Sequence, residues 1–408
     1  MIGSVSRSLN PYFAWADVVS LVRSNDLRFV FSNTTEAGIA YAAEPYDRKQ
    51  CPATFPAKVT SLLFERFQAT NGDATKGLVF LPCELIEHNG TKLKETVRKY
   101  AADWHLGAEF IEWVEGANYF LNTLVDRIVP GYPKEEATKL EAELGYVDKL
   151  IVTGEVFHLW VIEGPAHLAD EIPFHKVGLN VVWTSDMAPY RTRKVRVLNG
   201  AHTSSVLGAF LGGINTVLEM MNDPTFGNFV HTAVFDEIVP TLKMDPDDRR
   251  HYAEAVMERF NNPFIKHELL SISLNSVSKW KVRVLPSLLE YAASGTLPPA
   301  LTYSLAALIR FYDGTPVSDT ELRGLRKGEP YPIRDDADVL QFFAKHWKAY
   351  RSTENLRVLV DAILSNGHFW GRDLTELAGF AAAVEGHLRR LVQGETEPKL
   401  ARPGSDSP

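Results

Sequence analysis

The stretch Leu27-Arg-Phe-Val-Phe-Ser32 is a short run of β-prone residues, and it stops at Asn33-Thr-Thr35, a typical loop signal. The next apolar pattern, over 56–70, repeats at three and four residues and predicts a helix. A second strand is predicted over 77–81 and a second amphipathic helix over 92–106. Because strands that alternate with helices are typical of a parallel α/β sheet, this region indicates the class of the first part of the chain.

Beyond this region, the last predicted strands lie before Pro189, and the rest of the chain is predicted to be helical. Further strands are predicted over 156–162 and 178–183, and a charged helix over 134–144 is expected to end at Gly145. From about Pro189 the apolar spacing becomes helical, with helices predicted over 246–260, 284–293, 298–312, 337–350, 354–364 and 374–392. Segments rich in Gly and Pro at 295–299 and 328–332 are predicted loops. An α/β domain followed by a helical domain predicts a site in the cleft between them.

The composition of the 408-residue chain excludes several classes of protein. Lys and Arg number 43 against 51 Asp and Glu, a net charge of −8, so neither nucleic acid nor an anionic membrane is an expected partner. Its two cysteines are too few for a disulfide framework or a cysteine-rich zinc site. No apolar run approaches the roughly 20 residues of a membrane helix, and the N-terminus lacks a secretory pattern. We therefore expect a globular, cytoplasmic protein.

The segment PYRTRKVRVLNGAHT at 189–203 carries the residue types best suited to chemistry. In a continuous α-helix, Lys194, Asn199 and His202 lie within one sector of about 140°. This trio suits the interconversion of a carbonyl and an alcohol, with the lysine as general acid or base, the amide stabilising a developing negative charge on oxygen, and the imidazole holding a neighbouring hydroxyl. The spacing alone also fits a basic amphipathic helix whose lysine points to water, since Lys and Arg are common on helix surfaces.

A second candidate segment, CELIEHNG at 83–90, follows the strand predicted over 77–81. Ligands bind at the carboxyl ends of such strands in open α/β sheets. Glu84 and Glu87 suit acid–base chemistry, but a solvated loop built on an Asn89-Gly90 turn explains the same residues.

Other chemical motifs are weak or absent in the sequence. Cys83 and His88 evoke a thiolate–imidazole pair, but a third partner is missing. No metal is predicted, because metal-ligand spacing is absent around His158, His167, His175 and His202. Neither the pattern G-x-G-x-x-G nor a P-loop occurs in the chain.

Six stretches in this sequence resemble the long-chain mannitol dehydrogenase family, and within it the branch that reduces tagaturonate. They are RFVFSNTTEAG at 28–38, LLFERF at 62–67, PCELI at 82–86 with NG at 89–90, TLVDRI at 123–128 with GYP at 131–133, RKV and LNGAHT within 193–203, and RFNNPFIKH at 259–267 with LSISLN at 270–275. They run in family order across the chain, which a shared fold alone would not reproduce.

The resemblance implies both a fold and an activity. The fold is α/β plus all-α: an incomplete Rossmann-like dinucleotide-binding domain over 1–185, a mainly helical substrate and catalytic domain over 186–400, and a flexible tail over 401–408. The implied activity is the reduction of a ketose or keto-uronate by NAD(P)H without a metal. We expect NAD as cofactor, a small-molecule sugar acid as substrate, and D-tagaturonate reduced to D-altronate as the reaction.

The resemblance also implies roles for individual residues. Lys194 becomes the general acid–base, Asn199 a donor in the oxyanion hole, and His202 a substrate-positioning residue. Asp126 and Lys279 match positions that contact substrate in the polyol branch of the family. The loop expected near the nicotinamide contains Asn33, Thr34 and Glu36.

The chain departs from the polyol branch at one motif. Polyol enzymes of the family carry Cys-Asp/Glu-Asn where this chain has Cys83-Glu84-Leu85, so a second oxyanion donor is absent there. We take this difference to favour a uronate. A substrate carboxylate needs a cation, and the candidates are Arg127, Lys266, His267, Lys279 and Arg283.

The chain also lacks the initial strand and glycine-rich turn with which family members bind the dinucleotide. We therefore expect about one βαβ half to be missing, and the DNA upstream of Met1 to encode it in frame. Three alternatives stay open: a polyol or fructuronate dehydrogenase of the same family, a truncated chain that binds no cofactor, and a helical scaffold.

Overall fold

The computed structural model describes residues 5–35, 37–129, 131–134 and 136–400. The chain forms two units, Met1–Ala188 and Pro189–Pro408. The predicted tail over 401–408 and the predicted cofactor residue Glu36 lie outside the described residues.

The first unit is built on a parallel sheet of three strands, β1 (Phe29–Ser32), β2 (Val79–Pro82) and β3 (Tyr119–Phe120). Its helices are α1 (Trp15–Arg23), α2 (Phe55–Ala69), α3 (Asn89–Asp103), α4 (Ala108–Ala117), α5 (Ala137–Leu144) and α6 (Ala166–Glu171), with short 3-10 turns at Ala74–Lys76 and Phe174–Val177. The alternation of strand and helix predicted over 27–106 is confirmed. Leu63, Phe80, Leu93 and Phe110 join the sheet to its helices in a single apolar cluster, and burying each such side chain contributes about 1.5–3 kcal/mol.

A second small sheet completes the first unit. It contains β4 (Asn122–Asp126), β5 (Leu159–Glu163) and β6 (Val181–Thr184), with β4 antiparallel and β6 parallel to β5. The strand predicted over 156–162 therefore begins later, because Val156 is 92% exposed and the His158 ring bonds backbone atoms instead. The predicted glycine stop is confirmed, since Gly145 ends α5 in the left-handed conformation at φ 78°.

The second unit is mainly helical. Its first elements are α7 (Ala188–Arg193), which begins at the unit boundary, a π-helical turn (Lys194–Asn199), α8 (Gly200–Gly212), α9 (Val217–Asn222), α10 (Pro224–His231), a second π-helical turn (Thr232–Ile238) and a 3-10 turn (Val239–Thr241). There follow α11 (Pro246–Phe260), α12 (Leu269–Ile272), α13 (Ser276–Arg283), α14 (Leu285–Ala293), α15 (Pro299–Phe311), α16 (Ala337–Thr353), α17 (Leu356–Leu364), α18 (Gly367–Trp370), a 3-10 turn (Leu374–Glu376) and α19 (Phe380–Val392).

Helix α8 lies at the centre of this unit. Every residue from Gly200 to Leu211 is buried, and α15 packs against both α8 and α19. Gly208 allows the close approach of α15, since a Cβ there would lie 2.8 Å from the Tyr303 ring. A helix that is buried all round shows no amphipathic pattern, which is why periodicity alone does not mark its full length.

The predicted loop over 328–332 is wrong. An antiparallel sheet of three strands, β7 (Gly314–Ser318), β8 (Glu321–Arg326) and β9 (Glu329–Ile333), interrupts the helices. Prolines 330 and 332 lie on the edge strand β9, two residues apart, so their missing N–H groups share one side of the strand. An edge strand tolerates proline, and the Gly-Pro content therefore does not exclude a strand here.

Candidate active site

The segment that carries the predicted catalytic residues is helical, but it is not one continuous α-helix. Residues Lys194–Asn199 form a π-helical turn between α7 and α8. In such a turn the hydrogen bonds join residues five apart, so Asn199 stands one turn above Lys194 on the same side. The α-helical spacing predicted for this pair, about 140° apart, is therefore wrong. The π-helical turn aligns the amine and the amide more closely.

His202 follows three residues later in α8, so it neighbours Asn199 along the helix. Its ring is 7% exposed and stacks on the Phe260 ring, with centroids 4.1 Å apart and an interplanar angle of 11°. The His267 ring meets it edge-on, at 5.2 Å and 85°. Two aromatic neighbours thus fix the orientation of the imidazole.

The imidazole of His202 is neutral and has one unused polar atom. Its Nε2 is buried and has no hydrogen-bond partner among the described residues. Burial lowers the pKa of His202 well below its ordinary value, and the positive groups His267, Arg283, Arg259 and Lys279 lower it further. A buried nitrogen without a partner costs about 1–3 kcal/mol, so Nε2 is the atom that a polar ligand would satisfy.

Lys194 and Asn199 are both half-buried. Helices α11 and α13 pack against the π-helical turn that holds them, and α12 and α13 pack against α8. The site in the second unit is therefore built from five elements of one unit, the π-helical turn, α8, α11, α12 and α13. The predicted surface helix with a fully solvated lysine does not describe this arrangement.

The other residues predicted to bind substrate are divided between the two units. His267 contacts the His202 ring, and the half-buried Lys279 donates from Nζ to the Ile272 carbonyl at 3.0 Å. Asp126 is buried at the end of β4. Arg127 is exposed, and its Nε donates to the Glu155 carbonyl at 2.8 Å.

In the first unit, the loop after β1 is held by a buried carboxylate. Glu84 is 3% exposed and accepts hydrogen bonds from Ser32 Oγ at 3.0 Å, Thr34 N at 3.0 Å and Thr34 Oγ1 at 2.8 Å. Asn33 and Thr34 themselves are exposed. Glu84 therefore orients the predicted cofactor loop. The sequence analysis left open acid–base chemistry and a solvated loop for this residue, and it named neither the burial nor this orienting role.

Asn89 and Gly90 do not form the predicted turn, because they begin helix α3. The Asn89 side chain is fully buried and donates to the carbonyls of Pro82, Glu84 and Thr123. A Cβ on Gly90 would lie 2.3 Å from the Leu121 carbonyl oxygen, so only glycine fits. The pair thus fastens the end of β2 to the start of β4.

The structure does not support a nucleophilic Cys83. Burial raises the pKa of this thiol to about 11, so it stays protonated near neutral pH. His88, the suggested base, has an exposed side chain near Glu87.

No three His, Cys, Asp or Glu side chains in the described part of the chain are grouped so as to hold a metal ion. No helix within it has both the length and the apolar character needed to cross a bilayer.

A parallel-stranded first unit, followed by a helical unit with a lysine, an amide and an imidazole on adjacent turns, defines a dinucleotide-dependent oxidoreductase. Family comparison agrees, since the mannitol dehydrogenase Rossmann domain matches residues 2–176 and the mannitol dehydrogenase C-terminal domain matches residues 186–392. The chain belongs to the mannitol dehydrogenase family. The predicted family and fold class are confirmed.

Individual relatives were also found. The chain is 49% identical to an altronate oxidoreductase of Cronobacter sakazakii, over 96% of this chain and 80% of the relative. It is 47% identical to an altronate oxidoreductase of an Enterobacter species, over 97% and 80%.

Two solved structures share the fold. One is a Pseudomonas fluorescens mannitol 2-dehydrogenase in ternary complex with NAD and D-mannitol, with a TM-score of 0.64, 22% identity, and coverage of 97% of this chain and 78% of that one. The other is a substrate-free D-sorbitol dehydrogenase, with a TM-score of 0.75, 20% identity, and coverage of 95% and 78%.

Proposed function

We propose that the chain is an NAD(H)-dependent reductase of keto-uronates that converts D-tagaturonate to D-altronate. Relatives 47–49% identical are named altronate oxidoreductases. The observation that carries the proposal is the environment of His202, a neutral buried imidazole with an unused Nε2 and with stacked Phe260 and edge-on His267 rings. Such a site suits a hydroxylated substrate.

The first unit has residues suited to binding a dinucleotide at the carboxyl ends of its parallel strands. The carboxyl ends of the parallel strands β1 and β2 carry an exposed polar loop, Asn33 and Thr34, and the buried Glu84 that orients it. Ligands of open α/β sheets bind at this end of the strands. We assign these loop residues to the nicotinamide half of the cofactor, which supplies a hydride for the keto carbon when bound.

We assign Lys194 the role of proton donor to the oxygen of the reduced ketone. Reduction of a ketone leaves negative charge on the oxygen, and a positioned ammonium neutralises it by giving up a proton. Asn199, one π-helical turn away, donates from its amide to the same oxygen while the charge develops. In the reverse direction the neutral amine of Lys194 removes the proton from the alcohol.

His202 is assigned to a substrate hydroxyl. Because the lowered pKa keeps the imidazole neutral near pH 7, Nε2 serves as a hydrogen-bond partner and not as a second cation. The stacked Phe260 ring prevents the imidazole from turning away. The hydroxyl next to the keto carbon is thereby placed relative to Lys194 and Asn199.

The proposed activity is tested by following NADH oxidation by the 408-residue chain with D-tagaturonate, fructuronate and fructose. We expect D-tagaturonate to give the largest kcat/KM. Equal or faster turnover of fructose would contradict the substrate assignment. Failure of NADH to bind, measured by its fluorescence, would favour the alternative of a chain without cofactor.

The role of Glu84 can be tested separately. We expect Glu84→Gln to raise the KM for NADH about tenfold, because the amide cannot accept all three bonds from Ser32 and Thr34. Steady-state kinetics with varied NADH measure this, with the exposed Glu95→Gln on α3 as control. An unchanged KM in a folded Glu84→Gln variant would show that the loop does not depend on this carboxylate.

A further inference from the structure

The C-terminal end of helix α8 contacts the turn that joins strands β8 and β9. Arg326 pairs with Glu329 across this hairpin, so Lys327 and Gly328 alone form the turn. Both turn residues have positive φ, 51° and 87°, which is the pattern of a type I′ turn. The Lys327 amine donates to the Gly212 carbonyl, the last of α8, at 3.2 Å.

Arg326 makes the more extensive contact with the end of α8. Its Nη1 donates to the Phe210 carbonyl at 3.1 Å and to the Ile214 carbonyl at 3.2 Å, and its Nη2 donates to Asn215 Oδ1 at 2.9 Å. The guanidinium also lies over the Phe210 ring, 4.1 Å from the ring centroid. Arg326 therefore binds both the end of α8 and the two residues beyond its C-cap.

The segment that follows α8 pairs with the residues around His267. The Asn215 carbonyl accepts a hydrogen bond from Leu269 N at 2.8 Å. Val217 N donates to the His267 carbonyl at 3.0 Å, and an isolated antiparallel bridge lies between these two bonds. The backbone of His267 is therefore tied to the segment whose Asn215 side chain accepts from Arg326.

This pairing fixes the backbone from which the His267 side chain projects. The N–H of His267 donates to the Ile265 carbonyl at 3.1 Å, so both backbone polar groups of this residue are bonded. The half-buried His267 ring meets the His202 ring edge-on, with centroids 5.2 Å apart. Because the rotamers open to a side chain depend on its backbone conformation, the ring contact depends on the pairing.

A series of direct contacts thus connects the hairpin turn with the candidate site. It runs from the Arg326 guanidinium through Asn215 and the paired backbone to the His267 ring, which contacts the His202 ring. All of these residues belong to the second unit. A functional side chain keeps its geometry when the residues behind it are fixed in this way.

The contact between the hairpin and α8 also has a purely structural interpretation. Positive charge at a helix C-terminus compensates the helix dipole, and side-chain donors satisfy the last carbonyls. Such a role predicts lower stability but no change in how folded molecules bind substrate. The bond from Arg326 to Asn215 goes further, because Asn215 lies beyond the helix in the segment paired with the residues around His267.

We propose that Arg326 is a positioning residue for substrate binding. It holds the segment after α8 against the residues around His267, and it thereby sets the relative geometry of the His267 and His202 rings. The inference rests on the proposed function and adds the hairpin of β8 and β9 to the elements that form the site. Arg326 acts through Asn215 and His267, while His202 is the group that meets a substrate hydroxyl.

The first test separates positioning from stability. We expect Arg326→Gln to lower kcat/KM for D-tagaturonate about tenfold, mainly by raising KM, because a displaced imidazole binds the substrate hydroxyl less well. A structural role alone would reduce the folded fraction and hence kcat, and would leave KM unchanged. The matched control is Arg323→Gln, an exposed arginine of the same strand. An unchanged KM in folded Arg326→Gln, or an equal change in the control, would overturn the proposal.

The second test is a double-mutant cycle on the bond between Arg326 and Asn215. Asn215 is exposed, so Asn215→Ala should fold. We expect Asn215→Ala to raise the KM for D-tagaturonate nearly as much as Arg326→Gln, and the double variant to be no worse than Arg326→Gln, because both changes break one bond. A wild-type KM in Asn215→Ala, or additive losses in the double variant, would show that Arg326 does not act through this bond.

The ring signals of the two histidines separate failure of this inference from failure of the proposed function. NMR of the chain with isotope-labelled histidine records the ring shifts of His202 and His267, which depend on the edge-on contact, without turnover. We expect Arg326→Gln to move both signals and Arg323→Gln to leave them in place. If the signals move while the keto-uronate is not reduced, the positioning role stands and the proposed reaction falls. If reduction occurs and neither the signals nor KM respond to Arg326→Gln, the positioning role falls alone.

Discussion

Lys194→Ala is expected to lower kcat for keto-uronate reduction by about a thousandfold, which is the range lost when a positioned proton donor is removed. The expectation follows from the π-helical turn, which places the amine one turn below the Asn199 amide. Alanine is a strong helix former, and the position is only half-buried. The fold should therefore survive, and NADH binding should be unchanged.

The control for this variant is Lys348→Ala, an exposed lysine on α16. It removes the same charge at an exposed position on another helix and should retain full activity. Stopped-flow or steady-state absorbance at the NADH band measures both variants. Retention of more than about a tenth of wild-type kcat by Lys194→Ala would remove the lysine from its assigned role.

Arg66→Met is expected to destabilise the first unit by about 4 kcal/mol, a large effect for one substitution. The guanidinium of Arg66 is 1% exposed and donates to four backbone carbonyls, at 2.6 Å to Lys76, 2.7 Å to Val22, 2.7 Å to Ser24 and 3.0 Å to Leu27. Methionine fills the stem volume but leaves these oxygens without their donor. Each lost bond to a charged group costs about 1.5–3 kcal/mol before relaxation.

Urea unfolding followed by circular dichroism measures this loss. The matched control is Arg98→Met on α3, where the arginine is exposed and pairs with Glu115 at 2.6 Å. Since such surface pairs contribute about 0–1 kcal/mol, the control should unfold near the wild-type midpoint. Equal midpoints for the two variants would show that the four carbonyls find water or other donors.

The sequence predicted the fold class because its first unit alternates strands and helices over short distances. Helix α11 begins and ends where the pattern placed it, at Pro246 and Phe260. The sheet β7–β9 was missed because proline at edge positions resembles a loop in a local pattern. The π-helical turn was missed because sequence periodicity assumes 3.6 residues per turn. A short widening of the helix does not change which residue types occur in the segment.

Some residues of the candidate site could likewise be predicted from the sequence, and others could not. Lys194, Asn199 and His202 were named from their spacing and from a family resemblance, and their assigned roles stay predictions. Phe260 was not named as a site residue, since a residue 58 positions away in sequence from His202 meets it only through helix packing. For Glu84 the sequence left acid–base chemistry and a solvated loop open, because its burial and its bonds to Ser32 and Thr34 depend on strand pairing.

Chemical rescue of Lys194→Ala tests the central claim most directly, because a small primary amine can replace a missing lysine only where a proton must be delivered. With saturating NADH and D-tagaturonate, the account predicts that the rate of NADH oxidation rises in proportion to added methylammonium. It also predicts no such rise for the control Lys348→Ala, which keeps Lys194. A flat response in Lys194→Ala, with NADH still bound, would contradict the assignment of this lysine as the proton donor.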